Sequence, residues 1–166
     1  MSTLKVGTIQ DHANSNTAIS IDSSGRVTLG QKVGWLIAGS DGSGSITTNP
    51  VPWHTAVLDY QGGWNDANKR YQVSVTGLYH IGFVMSSDDT VATWYLQRST
   101  DGGSSYSNIK KVQQRKPTGG NTATMTHSII YALNANDILR VATDGKAYYS
   151  WGGDQGWLQF WGFLIG

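Results

Sequence analysis

The densest grouping of side chains able to do chemistry is Lys146-Ala147-Tyr148-Tyr149-Ser150-Trp151-Gly152-Gly153-Asp154-Gln155-Gly156-Trp157. Flat amphipathic rings beside Gly, Asp and Gln suit stacking on sugar rings or contact with a protein surface, because aromatic side chains supply contact area at low conformational cost. Tyr148, Tyr149, Trp151, Asp154 and Trp157 are therefore the candidate ligand- or receptor-contacting residues, and a carbohydrate-binding sandwich module is one function they would serve. The other reading of the same rings is that they cap a β-sandwich, and the composition is compatible with both.

Catalytic spacing is not found elsewhere in the sequence. His12, His54, His80 and His127 are far apart, and none has a second His, Cys or carboxylate at ligand spacing on its own element. Lone surface or strand histidines are expected rather than a zinc centre. His80 and His127 both fall in strands and could become neighbours. Gly42-Ser43-Gly44 has no strand leading in and no helix after it, so it is no nucleophile elbow. The Gly-rich turns lack the following helix and Lys-Ser/Thr pair that cradle phosphate. Glycoside hydrolysis needs carboxylates on strands facing a cleft, whereas these aspartates fall in turns. No catalytic residue and no enzymatic activity are expected. Lys110, Lys111, Arg115 and Lys116 form a basic cluster that reads as a solvated edge guarding against sheet-to-sheet pairing.

Composition says what scaffold must hold these residues. All 11 acidic residues are Asp and Gly reaches 21 of 166. Asp and Gly favour turns while Glu favours helices, so short strands joined by tight turns are expected. With Cys at 0, no disulfide or thiolate site is available, and seven Trp and eight Tyr must fill the core by packing. Charged residues are 14% and the formal net charge is +1, which leaves no electrostatic footprint for nucleic acid or an anionic membrane. Met1 to Gln10 has one Lys and no long apolar run, so neither a secretory signal nor a membrane anchor is expected. No stretch approaches the ~18 apolar residues of a transmembrane helix.

Hydrophobic alternation predicts the strands. Tyr71, Val73 and Val75 alternate with Gln72 and Ser74, then Thr76-Gly77 breaks the run and Tyr79, Ile81 and Phe83 alternate with His80 and Gly82. Further strands are predicted over 93–98, 109–114, 123–131, 138–141, 146–151 and 157–164. In the last, Trp157, Gln159, Trp161, Phe163 and Ile165 share one face and Leu158, Phe160 and Leu164 the other. A strand apolar on both faces needs cover on both sides, so it should be central and its second face should meet another chain. Residues 1–35 are poor in aromatics. Runs 18–22 and 26–29 around Ser23-Ser24-Gly25 read as a small hairpin, marginal alone. A flexible tail is the alternative reading. Gly39-Ser40-Asp41-Gly42-Ser43-Gly44-Ser45 reads as a linker. The expected division is a leader with linker at 1–45 and a head at 46–166.

Leu58, Gly62, Gly63, Tyr71, Val73, Gly77, Leu78, Tyr79 and Phe83 follow a family pattern in order: a strand ending in a hydrophobic pair, a Gly-Gly-aromatic loop, an aromatic-x-Val strand and a Gly-Leu-Tyr turn. Leu133 to Val141 and Phe160 to Ile165 continue it. Together they resemble the complement C1q/tumour necrosis factor-like globular domain, departing at Asn136, where the family usually has Gly, and in a longer Trp-rich loop before the last strand. The resemblance implies an all-β antiparallel jelly-roll β-sandwich that assembles as a homotrimer. On it, Tyr60, Trp64, Tyr79, Phe83, Tyr131, Phe160 and Phe163 should line the trimer axis or the core. Some relatives bind calcium between loops near the axis, which makes Asp88, Asp89 and Asp144 calcium candidates; a solvated turn is the other reading, and no other cofactor is implied.

Leu4 to Asp11, followed by Ile19-Ser20-Ile21-Asp22-Ser23-Ser24-Gly25-Arg26-Val27-Thr28-Leu29, resembles the leader of tail-fibre and other virion proteins of tailed bacteriophages. That resemblance implies a virion structural protein made in the host cytoplasm, a head decoration or short fibre. It would join other virion proteins through residues 1–35 and touch a host surface glycan or protein with its head.

Overall fold

Every regular element described in the computed structural model is a β-strand, which is what Asp- and Gly-rich turns and an absence of Glu would produce. The structure describes residues 7–10, 17–29, 32–40, 43–120, 122–145, 148–151 and 158–166. By compactness the chain divides into Met1–Lys32 and Val33–Gly166.

In the first unit, β1 (Thr8–Gln10), β2 (Thr17–Ile21) and β3 (Val27–Leu29) form an antiparallel sheet in that order. The expected hairpin is thus β2-β3, and it gains a third strand. Asp22 builds its turn: Oδ1 accepts from the backbone N–H of Ser24 at 2.8 Å and of Arg26 at 3.0 Å, and Gly25 takes a φ of 78° that favours glycine. Ile9, Ile21 and Val27 remain exposed, so this sheet has little core of its own.

In the second unit the strands are β4 (Gly34–Ser40), β5 (Ser43–Ile46), β6 (Trp53–Asp59), β7 (Trp64–Asn65), β8 (Arg70–Gln72), β9 (Gly77–Ser87), β10 (Val91–Ser99), β11 (Ser107–Arg115), β12 (Ala123–Leu133), β13 (Ile138–Thr143), β14 (Tyr148–Trp151) and β15 (Gln159–Leu164). They make two five-stranded antiparallel sheets, ordered β11-β10-β13-β8-β7 and β12-β9-β15-β4-β6, with β14 paired to β5. This is the antiparallel jelly-roll sandwich that the resemblance implied.

The observed division differs from a leader ending at residue 45. β4 lies in the second sheet between β15 and β6, and Trp35 and Ile37 are completely buried. The Gly/Ser stretch is not a free linker either: Ser43–Ile46 is hydrogen-bonded to Tyr148–Trp151, with Gly44 opposite Ser150 and Ser43 opposite Trp151. Small residues carry little strand propensity, but a ladder partner supplies what propensity lacks.

Between the sheets lies a core built on Trp35, Trp53, Trp94, Tyr71, Tyr79, Phe83 and Phe160, all under 2% exposed. Trp53 and Phe160 stack at 5.9 Å between ring centroids. β15 reaches this core closely because Gly162 has no side chain: a Cβ there would strike the Trp35 ring.

Candidate functional site

β12 shows strict alternation. Met125, His127, Ile129, Tyr131 and Leu133 point inward, while Thr124, Thr126, Ser128, Ile130 and Ala132 are exposed. Its register against β9, and that of β15 and β4 beyond, assembles the outer face of the second sheet. One row runs Ile130, His80, Phe163, Gly34; the next runs Ser128, Gly82, Trp161, Leu36, Leu58. Ile130 is 62% exposed and Leu78 is 41% exposed, with Trp161, Phe163, Leu36 and Val84 half-buried. Trp161 lies on Gly82, where a Cβ would strike its six-membered ring.

The three strands at this end of the sheet, β12, β9 and β15, contain no Asp, Lys or Arg at all. β11, at the edge of the opposite sheet, carries Lys110, Lys111 and Arg115. An exposed sheet face with apolar side chains and no charge has the composition of a protein interface core, not of a solvated surface. For β15 the expected division of faces is observed from Leu158 onward: Leu158 and Phe160 are fully buried, and Gln159, Trp161 and Phe163 point outward.

The candidate aromatics separate into three groups. Tyr79, Phe83 and Phe160 are core residues, and the Tyr79 hydroxyl donates to the Val75 carbonyl at 2.6 Å. Trp64 and Tyr131 are partly buried and pack against that core. Phe163 lies on the outer face just described, and Tyr60 is 45% exposed. Burial pushes the Tyr79 hydroxyl pKa up, and burial followed by the charge of Asp59 pushes Tyr71 up further, so both phenols stay neutral and act as packing groups. Of the loop candidates, Tyr148, Tyr149 and Trp151 form β14, while Asp154 and Trp157 lie outside the described residues.

His80 and His127 do not meet. The register puts His127 opposite Phe83 on the inward face and His80 opposite Ile130 on the outward one, because a strand's side chains alternate and the two positions are three steps apart, an odd number. The His127 ring lies 6.2 Å from that of Phe83. Among the described residues no three His, Cys, Asp or Glu side chains converge as metal ligands, so Asp88, Asp89 and Asp144 are not drawn into one cluster. No described helix is long and apolar enough to cross a membrane.

Asn136 explains the departure from Gly at its position. Its φ is 73°, a region that Asn tolerates better than most residues, and its backbone N–H donates to Val73 O at 2.7 Å. The same turn buries Asp137, whose Oδ2 accepts from Asn134 N at 2.7 Å and lies 2.9 Å from Arg98 Nε. Burial works against the Arg98 charge, but Tyr131 and Asp137 together raise its pKa above the ordinary value. Trp161 belongs to the last-strand face expected to meet another chain; Ile130 and Leu36 were outside the candidate set, although the alternation of β12 already marked Ile130 as outward.

No family model matches the sequence, and no curated protein matches it. Solved structures do. The tumour necrosis factor Eiger of S. frugiperda is 12% identical with a TM-score of 0.63, covering 82% of this chain and 94% of its own. The globular domain of zebrafish complement 1qA is 14% identical with a TM-score of 0.61, covering 81% and 98%. Murine APRIL is 14% identical with a TM-score of 0.63, covering 81% and 100%. The chain therefore has the C1q/tumour necrosis factor-like jelly-roll fold.

Proposed function

We propose that this chain is the subunit of a non-enzymatic homotrimer in the virion of a tailed bacteriophage, a head decoration or short fibre. The trimer rests on one observation: the outer face of β12-β9-β15-β4-β6 exposes Ile130 and Leu78 beside Trp161 and Phe163, and β9, β12 and β15 carry no Asp, Lys or Arg. Three copies around one axis would cover that face, and the C1q/tumour necrosis factor-like fold supports such an arrangement through the family resemblance. The leader supports the virion setting through its own resemblance. Its exposed Ile9, Ile21 and Val27, on a sheet too small to hold a core, fit a piece that orders against other virion proteins.

Light scattering on the purified chain tests the assembly. A particle of three times 18.0 kDa, about 54 kDa, is expected; a monodisperse 18.0 kDa monomer would overturn the trimer. Peptide mass spectrometry of purified phage particles tests the setting, and absence of the chain from them would overturn it.

A further inference from the structure

The outer face of the other sheet holds two arginines side by side. The register pairing Tyr71 with Leu139 sets Arg70 opposite Arg140. The row extends to Asn65, which faces Arg70, and to Gln97, which faces Arg140. Like charges directly opposite each other destabilise a sheet. For Arg140 this is compensated: Nε donates to Gln97 Oε1 at 2.8 Å, and the guanidinium lies 3.5 Å from the Tyr106 ring centroid. Arg70 is half-buried with its guanidinium against Gly103, and among the described residues it has no hydrogen-bond or ion-pair partner. The aspartates of nearby turns are committed elsewhere, Asp66 to Lys69 Nζ and Asp101 to the Ser99 and Ser105 hydroxyls. Burial first, and then the charge of Arg70, hold the Arg140 pKa below the usual arginine value.

Arg70 also lines a cleft of about 390 Å³ with Gln61, Trp64, Asn65, Gln72 and Asn136. Its amides have bonding capacity left. Gln72 Nε2 donates to Asn136 Oδ1 at 3.2 Å, which leaves Gln72 Oε1 and Asn136 Nδ2. Asn65 Oδ1 accepts from Asn68, which leaves Asn65 Nδ2. One wall thus presents a permanent cation with both amide donors and amide acceptors. A simple anion would satisfy the donors and be repelled by the acceptors. A neutral polyol would satisfy the amides and leave the guanidinium unmatched.

We infer that this cleft binds a carboxylate-bearing sugar, with Arg70 forking onto the carboxylate and Asn65, Gln72 and Asn136 taking hydroxyls. The site belongs to the head alone and stands whether or not the chain trimerises or resides in a virion.

The test titrates the full chain with a glucuronate-terminated disaccharide, its neutral glucose counterpart and sodium acetate, read by NMR at the Trp64 indole N–H and Arg70 Nε–H. Saturable shifts are expected with the acidic disaccharide at millimolar concentration. Binding about tenfold weaker is expected for the neutral disaccharide, for acetate and for Arg70→Gln, the loss of one charge-assisted fork. Arg70→Gln should melt no lower than the parent, since it relieves the opposed charge, and Gln72→Ala should weaken binding without moving the Arg140 resonances. Absence of shifts, acetate or neutral sugar binding as tightly as the acid, or unchanged binding by a folded Arg70→Gln would each overturn the assignment.

Discussion

Trp35 and Tyr71 stack with ring centroids 4.0 Å apart and planes 19° from parallel. One ring comes from β4 in the second sheet and the other from β8 in the first, so this pair joins the two layers at the middle of the core. Phe160 closes on Trp35 from the side at 5.6 Å, edge to face. A residue that precedes the Gly/Ser stretch is therefore part of the head.

Trp35→Ala removes a fully buried indole and the stack it makes with Tyr71. A loss of about 3–5 kcal/mol in urea unfolding is expected. A loss under about 1 kcal/mol, the scale of a surface change, would place the ring outside the core.

Truncation tests the boundary directly. A chain starting at Val33 keeps β4 and should unfold in one cooperative transition. One starting at Ile46 loses the strand between β15 and β6 and is expected to show no such transition. Equal stability of the two would contradict the placement of β4.

Ile130→Asp changes an outward side chain that is 62% exposed, so the fold should persist while the outer face gains a charge. Circular dichroism should be unaltered, and the native mass from light scattering should drop to that of one chain. A retained trimer would show that the interface lies elsewhere.

His127 makes stability depend on pH. Burial, followed by the charge of Lys110, holds its pKa below the ordinary 6.5, and Nε2 is buried without a partner. The unfolded chain therefore binds this proton more readily than the folded one. Stability from the neutral ring is fully present above 6.5 and is lost as pH falls from there through the folded value. His127→Phe should narrow the difference in melting temperature between about pH 7.5 and about pH 5, and an undiminished difference would exclude His127 as the source.

Asn136 carries its φ of 73° at a cost that Gly would not have. Asn136→Ala should destabilise by about 1 kcal/mol and Asn136→Gly by much less, since only the first adds a strained side chain without a polar group. Thermal melts compare the two, and equal losses would assign the effect to the lost Gln72 hydrogen bond instead.

Alternation made most of the head legible, because β9, β12 and β15 each carry their own face pattern. Which face turns inward depends on neighbours far along the chain. Tyr79, Phe83 and Phe160 in the core and Phe163 outside it therefore looked alike in sequence. β5 was illegible for a different reason: Ser43-Gly44-Ser45 has no propensity of its own, and its partner is supplied from Tyr148–Trp151. The Arg70 cleft was hidden as well. Arg70 and Arg140 are brought opposite each other only by strand register, and nothing in the local sequence around either one announces the other.

The position of β15 governs when the head can exist. It follows every other strand of its sheet in the chain, yet it sits in the middle, bonded to β4 on one side and β9 on the other. During synthesis, β4 and β9 emerge early with a vacant slot between them, and the sheet closes only after Gln159–Leu164 has left the ribosome. Long-range pairing of this kind folds slowly and exposes strand edges until it is complete. Prematurely terminated chains thus lack the strand that presents Trp161 and Phe163, so they can neither close the sandwich nor complete its outer face.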